Sequence, residues 1–293
     1  MAVQKTCPVC RKRLSSAAFN RSSRSADGLA GTCRACTNSR RRRRASTALK
    51  RKRGTGRSTQ PAHALRNGDV EKIKSIVDGG VKPDRSWVCE AIRLGHFSVA
   101  EDLLQLGVTR DVFTMAALAD VQRLSRRLSR SAADACLAVS MEPASEGVTP
   151  LHIACASDWT GHGPKRTANQ IRSAAVLKDY GADLSALARY RGISDATPLF
   201  CACWTSRNAE LVRWWLAQGV TAGTSDLLAA LGHFQRHGLP AFEIADALLD
   251  SGVPIDQSDS TGRTPRQVFA HQGMHDAVGD CYTKREAAAG RVD

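Results

Sequence analysis

No stretch of the sequence approaches the roughly 20 consecutive apolar residues that a membrane-spanning helix requires, and no charged-then-apolar leader opens the chain. A membrane partner is therefore not expected, and a soluble, cytoplasmic protein is. Acidic residues are almost missing from the first 57 positions, where Asp27 stands alone against seventeen Lys and Arg. Histidine is absent before His63, and aromatic residues make up only 5% of the chain. No Ser/His/Asp order, glycine-rich phosphate loop or paired carboxylates in a plausible setting can be found. Those absences remove the usual routes to nucleophilic, general acid–base and phosphoryl-transfer chemistry. A non-enzymatic protein without a small-molecule substrate is the expectation.

What is present is distributed unevenly. The formal net charge of +14 comes wholly from residues 1–57, which carry +16 and leave −2 for the remainder. A strongly basic segment joined to a near-neutral body points to an anionic partner for the segment and a separate task for the body. Ten cysteines fall into two groups. Four are paired as Cys7-Pro8-Val9-Cys10 and Cys33-Arg34-Ala35-Cys36. Six are scattered singly at apolar helical positions, which argues for a reducing compartment over a disulfide framework.

The two C-x2-C pairs each place two thiolates on one tight turn, the spacing of a tetrahedral structural zinc site. Cys7, Cys10, Cys33 and Cys36 are the expected ligands, and zinc the expected cofactor. The intervening residues can form a hairpin with Gly28 and Gly31 as turn residues. Cys36 would then open a helix, giving a treble-clef-like module over residues 1–39. With Phe19, Asp27, Gly28 and Leu29, the four cysteines resemble the zinc-binding element of phage and bacterial proteins related to HNH recombination endonucleases. The resemblance implies a zinc fold. It does not extend to nuclease chemistry, because a nuclease of that kind needs histidine to activate water and bind its metal. It also makes a phage, viral or bacterial regulatory or effector protein one reading.

Residues 40–60 form an Arg/Lys-rich arm and linker. Arg40, Arg41, Arg42, Arg43 and Arg44 run unbroken, and Lys50, Arg51, Lys52 and Arg53 follow. On a helix such a run covers every side and repels itself unless anions are near. Together with Arg11, Lys12 and Arg13 these residues are the candidate nucleic-acid contacts, made to phosphates and with DNA ahead of RNA. No aromatics interleave with them, so base stacking and sequence preference are not expected. A plain solubilising linker, or a nuclear-localisation signal in a eukaryotic host, remain alternative readings of the arm.

The rest is organised around Gly147 to Leu184. There Thr149-Pro150-Leu151-His152, followed by Ala154 and Ala156, resembles the start of an ankyrin repeat, and Gly181-Ala182-Asp183 its end. Thr149 can cap a helix and Pro150 suits the first turn. His152 is then a structural, hydrogen-bonding histidine. The frame extends near a 33-residue period to about seven units between residues 61 and 285, with a short tail at 286–293. The fold expected is mainly α, a helix-turn-helix solenoid preceded by the zinc module. Ile73, Ile76, Val77, Val99, Leu103, Leu104, Val176, Leu177, Ile244, Leu248 and Leu249 are core candidates. So are Cys136, Cys155 and at least one of Trp214 and Trp215.

Unit four carries an interruption, Ser157 to Arg166, that lengthens its inter-helix turn by about ten residues. Insertions in repeats map to loops, often on a binding face. Trp159, His162, Lys165 and Arg166 are therefore the candidate protein-binding residues. Trp159 either stands exposed as an anchor, or the insertion is neutral and Trp159 folds back on a neighbouring repeat. The function expected is a two-part binder, the zinc module and arm on DNA phosphates, the solenoid on a protein through its concave face or this loop. The alternative is an ankyrin adaptor or inhibitor that does not use nucleic acid.

Overall fold

The computed structural model describes residues 4–8, 12–21, 29–33, 61–141, 144–159, 161–232, 239–259 and 261–271. The chain divides into two compact units, Met1–His63 and Ala64–Asp293.

In the first unit, β1 (Gln4–Thr6) and β2 (Arg13–Ser15) pair antiparallel, with Lys5 opposite Leu14. The Cys7 N–H closes the hairpin by donating to the Lys12 carbonyl at 3.0 Å. A second hairpin joins β3 (Phe19–Arg21) to β4 (Leu29–Cys33), and Phe19 lies opposite Cys33. Phe19, Cys7 and Cys33 make a small core, with Leu14 and Ala18 packed against it. Gly31 is not a turn residue. The Phe19–Cys33 register draws it into β4, while Gly28 falls outside the described residues. The helix expected after Cys36, the arm and the tail lie outside them too.

The second unit consists of helix pairs, each expected unit starting close to where the repeat frame places it. They are α1 (61–67) with α2 (Val70–Asp78), α3 (Arg85–Arg93) with α4 (Phe97–Gln105), and α5 (Val112–Ala117) with α6 (Val121–Arg130). Next come α7 (Pro150–Ala156) with α8 (Pro164–Asp179), then α9 (Pro198–Cys201) with α10 (Ala209–Ala217). Finally α11 (Thr224–Leu231) pairs with α12 (Leu239–Asp250), and α13 (Pro265–His271) opens a seventh unit.

Local chemistry fixes these boundaries. Asp69, Asp84, Asp111, Asp120, Thr149, Thr197 and Asn208 each accept a backbone N–H of the first helical turn they precede, satisfying donors the helix cannot. Several second helices, though not α6, end on glycines in the left-handed region, as at Gly107 (φ 94°) and Gly181 (φ 90°), where a β-carbon would be strained. First helices stack in one row, α3 on α5 on α7 on α9, and second helices in another, with α6 on α8 on α10. One core runs between the rows. It includes Ile73, Ile76, Val99, Leu103, Leu177, Ile244 and Leu248, with Leu104, Val176, Trp214 and Leu249 at its edge and Trp215 fully buried.

Two hairpins project from this stack and form one four-stranded antiparallel sheet. They are β5 (Val139–Met141) with β6 (Ser145–Val148), and β7 (Ala188–Tyr190) with β8 (Ile193–Ala196). The second folds onto α3, where Arg191 Nη1 donates to Glu90 Oε2 at 2.6 Å across 101 positions of sequence. Glu90 also takes a bidentate pair from Arg93, both contacts 2.8 Å. Burial alone would raise the Glu90 pKa, but the two guanidinium partners outweigh it and hold the carboxyl low.

His152 is structural as expected. Its Nδ1 accepts from the Thr149 N–H at 3.3 Å, and its Nε2 lies 3.0 Å from the Ala196 carbonyl. Burial pushes its pKa down, which keeps the ring neutral. Cys155 is core, but Cys136 is not. The α5–α6 pair ends in a 3-10 turn, Ala132–Cys136, that turns Ala135 inward and leaves Cys136 exposed, its Sγ 3.2 Å from the Gly181 carbonyl.

Candidate binding site

The interruption in unit four is only partly a loop. Residues 157–163 connect the helices, while Pro164 takes the first helical position and Lys165 and Arg166 fall in the first turn of α8. Gly163 (φ 82°) makes the entry, Pro164 suits the first turn, and no glycine or further proline interrupts Lys165 to Gln170. The extra residues therefore lengthen α8 to 16, about two turns more than the nine of α4.

A buried polar network holds the loop. Ser157 Oγ donates to the Ile153 carbonyl at 2.8 Å. Gln170 Nε2 donates to the carbonyls of Ala154 (2.9 Å) and Ser157 (2.6 Å), while its Oε1 accepts from Asn208 Nδ2 at 3.0 Å. Asp158, also buried, takes Arg207 Nε at 2.8 Å. Every polar atom of the Gln170 amide that these bonds use is removed from water, so the network fixes one loop geometry.

That geometry sends Trp159 inward. It is 3% exposed, and of its two readings the one that packs it on a neighbouring repeat holds. Its ring centroid lies 4.1 Å from that of Phe97, the first residue of α4, and the His162 ring meets the same phenyl at 3.7 Å, tilted by 58°. Arg166 lies over the indole, 5.2 Å from its centroid, at cation–π range.

Between α4 and α8, over the first turn of α6, these residues wall a cavity of about 890 Å³. Phe97, Leu104, Leu118 and Trp159 supply its apolar surface. Arg110, Lys165, Arg166 and Arg172 supply cations, none with a carboxylate partner among the described residues, whereas Arg123 is tied to Asp120 at 2.6 Å. Glu101 and Asp120 are its two acids. The four protein-binding candidates, Trp159, His162, Lys165 and Arg166, are thus brought to one cavity, although Trp159 is a wall and not a projecting anchor. Phe97, Arg110, Arg172, Gln170 and Asn208 escaped sequence reasoning. Only Phe97 carried any signal, as an aromatic heading a helix.

In the first unit Cys7 and Cys33 come together, 0% and 1% exposed, and the Cys33 N–H donates to Cys7 Sγ at 3.5 Å. A thiolate ligand accepting a backbone N–H fits a cysteine metal site. Cys10 and Cys36 lie outside the described residues. Lys12 and Arg13 are exposed on the β1–β2 hairpin. Arg11, Arg40 to Arg44 and Lys50 to Arg53 are outside the described residues.

No family model matches the sequence, and no curated protein matches it. Among solved structures the chain is similar to the human ASB11 ankyrin repeat domain, at 16% identity over 70% of this chain and 88% of that one, with a TM-score of 0.36. The capped helix pairs of this chain stack on one another in two rows, the architecture of a helical repeat solenoid.

Proposed function

We propose that this is a non-enzymatic, intracellular two-part binding protein whose repeat unit holds a protein partner at the cavity between α4 and α8. The observation that carries this reading is the wall of Phe97, Trp159 and His162 beside Arg110, Lys165, Arg166 and Arg172, which have no carboxylate partner among the described residues. A preformed cleft with apolar walls and a few convergent polar groups is the usual form of a recognition site. Pull-down with the full chain from a host lysate tests it. A partner kept by the wild type should be lost from a His162→Ala, Lys165→Glu double variant, both exposed positions. Partners retained equally by both proteins would overturn the proposal.

The first unit supports a second activity. Cys7, Cys10, Cys33 and Cys36 would hold one zinc ion, which supplies folding energy to a module with a very small core of its own. The support is the buried approach of Cys7 and Cys33. On that scaffold Arg11, Lys12, Arg13 and the arginine arm would engage DNA phosphates, giving a nucleic-acid-associated protein, nuclear if the host is eukaryotic. An adaptor or inhibitor that ignores nucleic acid is the competing reading, and the salt dependence of duplex binding separates them.

A further inference from the structure

The repeat unit's near-neutral sum conceals a local excess of positive charge. Five cations line the cavity against two acids, Glu101 and Asp120, and one of those acids is already committed to Arg123. The strip continues beyond the rim. On α6, Leu124 and Leu128 are buried, which turns Arg126 and Arg130 outward, and both are exposed. Lys165 and Arg166 occupy the first turn of α8, where no acid is present. That end of a helix already carries partial positive charge, so cations there cost stability. Residues 58–293 contain 27 acids against 25 Lys and Arg, so carboxylates are plentiful, yet they do not gather here.

Cations left without partners in a walled cavity repel one another, and an anionic occupant removes that repulsion. We infer that the segment of the partner docked in this cavity is an acidic peptide stretch, its carboxylates meeting Arg110, Arg172 and Lys165 while an apolar side chain lies on the Phe97–Trp159 wall. This rests on the protein-binding reading of the same cavity. A peptide is favoured over duplex DNA because the charge lies around a pit with an apolar wall. A duplex presents rows of phosphate suited to an open ridge and offers nothing to that wall. A small free anion would leave the wall equally unused.

The test is a peptide-display selection on the immobilised full chain, followed by affinity measurement on the selected peptides. Two variants are compared with the wild type. One is Arg110→Glu with Arg172→Glu, both positions without a carboxylate partner among the described residues. The other replaces Arg40 to Arg44 with alanine. Circular dichroism melting checks that each folds. Peptides rich in Asp and Glu with an apolar residue should emerge. They should weaken at least about tenfold on the charge-reversed cavity, less than about twofold on the arm variant, and recover on Arg110→Lys with Arg172→Lys.

Acidic peptides that depend on the arm and ignore the cavity would overturn the inference. So would competition at Arg110 and Arg172 by duplex DNA, or by inositol hexakisphosphate binding there in place of peptide. Neutral or basic peptides that still require Phe97 and His162 would sink the acidic assignment while keeping the cavity as a protein site. Failure to select any peptide sensitive to a cavity residue would sink both.

Discussion

Asp226 offers a measurement whose sign follows from its burial. It sits in the first turn of α11, 8% exposed, and its Oδ2 accepts the Gly223 N–H at 2.8 Å. Burial pushes its pKa from 3.8 to about 6, and the one backbone hydrogen bond offsets only part of that shift. Between about pH 4 and 6 the folded chain therefore holds more proton at this site than the unfolded chain does. The Asp226 contribution to stability falls as pH rises through that window and is level above it. A carboxyl moved from 3.8 to about 6 carries about 3 kcal/mol of cost at pH 7. Asp226→Asn keeps the acceptor for Gly223 and removes the charge, but it introduces amide donors that need partners. A net gain of about 1–2 kcal/mol at pH 8 is expected, shrinking to nothing or reversing near pH 4. Urea denaturation of both proteins at several pH values reads the difference directly. A variant less stable than wild type at pH 8, or a difference that does not change with pH, would refute the argument.

Other consequences follow from single contacts. Gln170→Leu strands the Ala154 and Ser157 carbonyls and the Asn208 amide, so a loss of roughly 3 kcal/mol and a loosened Trp159 are expected, visible in denaturation and tryptophan fluorescence. If the variant melts like wild type, the network does not hold the loop. Elemental analysis of metal-replete protein should find one zinc per chain, lost in Cys33→Ser; protein without zinc contradicts the four-cysteine site. Duplex-DNA affinity should fall with salt at a slope of roughly −5 to −7, from about six to eight neutralised phosphates. Alanine at Arg40 to Arg44 should flatten that slope for all sequences alike, and an unchanged slope would remove the arm from DNA binding.

Much of the repeat architecture was legible because it is written in local signals. A capping oxygen, a proline at the first helical position, a glycine at the end and apolar residues at helical spacing act within one or two turns. They appear in any window that contains them. Thr149-Pro150-Leu151-His152 revealed its helix and the role of His152 in this way. Of the two C-x2-C pairs, Cys7 and Cys33 lie among the described residues and meet in a small core.

Where a local signal had two readings, the sequence stopped. Lys165 and Arg166 read as loop because they lie within the interruption, yet Gly163 and Pro164 set a helix start and α8 begins there. Cys136 read as core because it is small and apolar, but its side depends on the 3-10 turn that replaced a glycine end. Gly31 read as turn until the pairing of Phe19 with Cys33 placed it in a strand.

The sequence by itself determined the repeat frame, the helix ends and most of the core. It also determined the division between a basic segment and a near-neutral body. Only the tertiary structure decided that Trp159 turns inward onto Phe97, that Arg191 reaches Glu90, and that Arg110 and Arg172 share one cavity. Those relations join residues far apart in the chain, and their geometry is set by how one repeat stacks on the next. Stacking is driven by burial of apolar faces that look alike in every unit. The pattern that announces a repeat therefore says little about what its edges bring together.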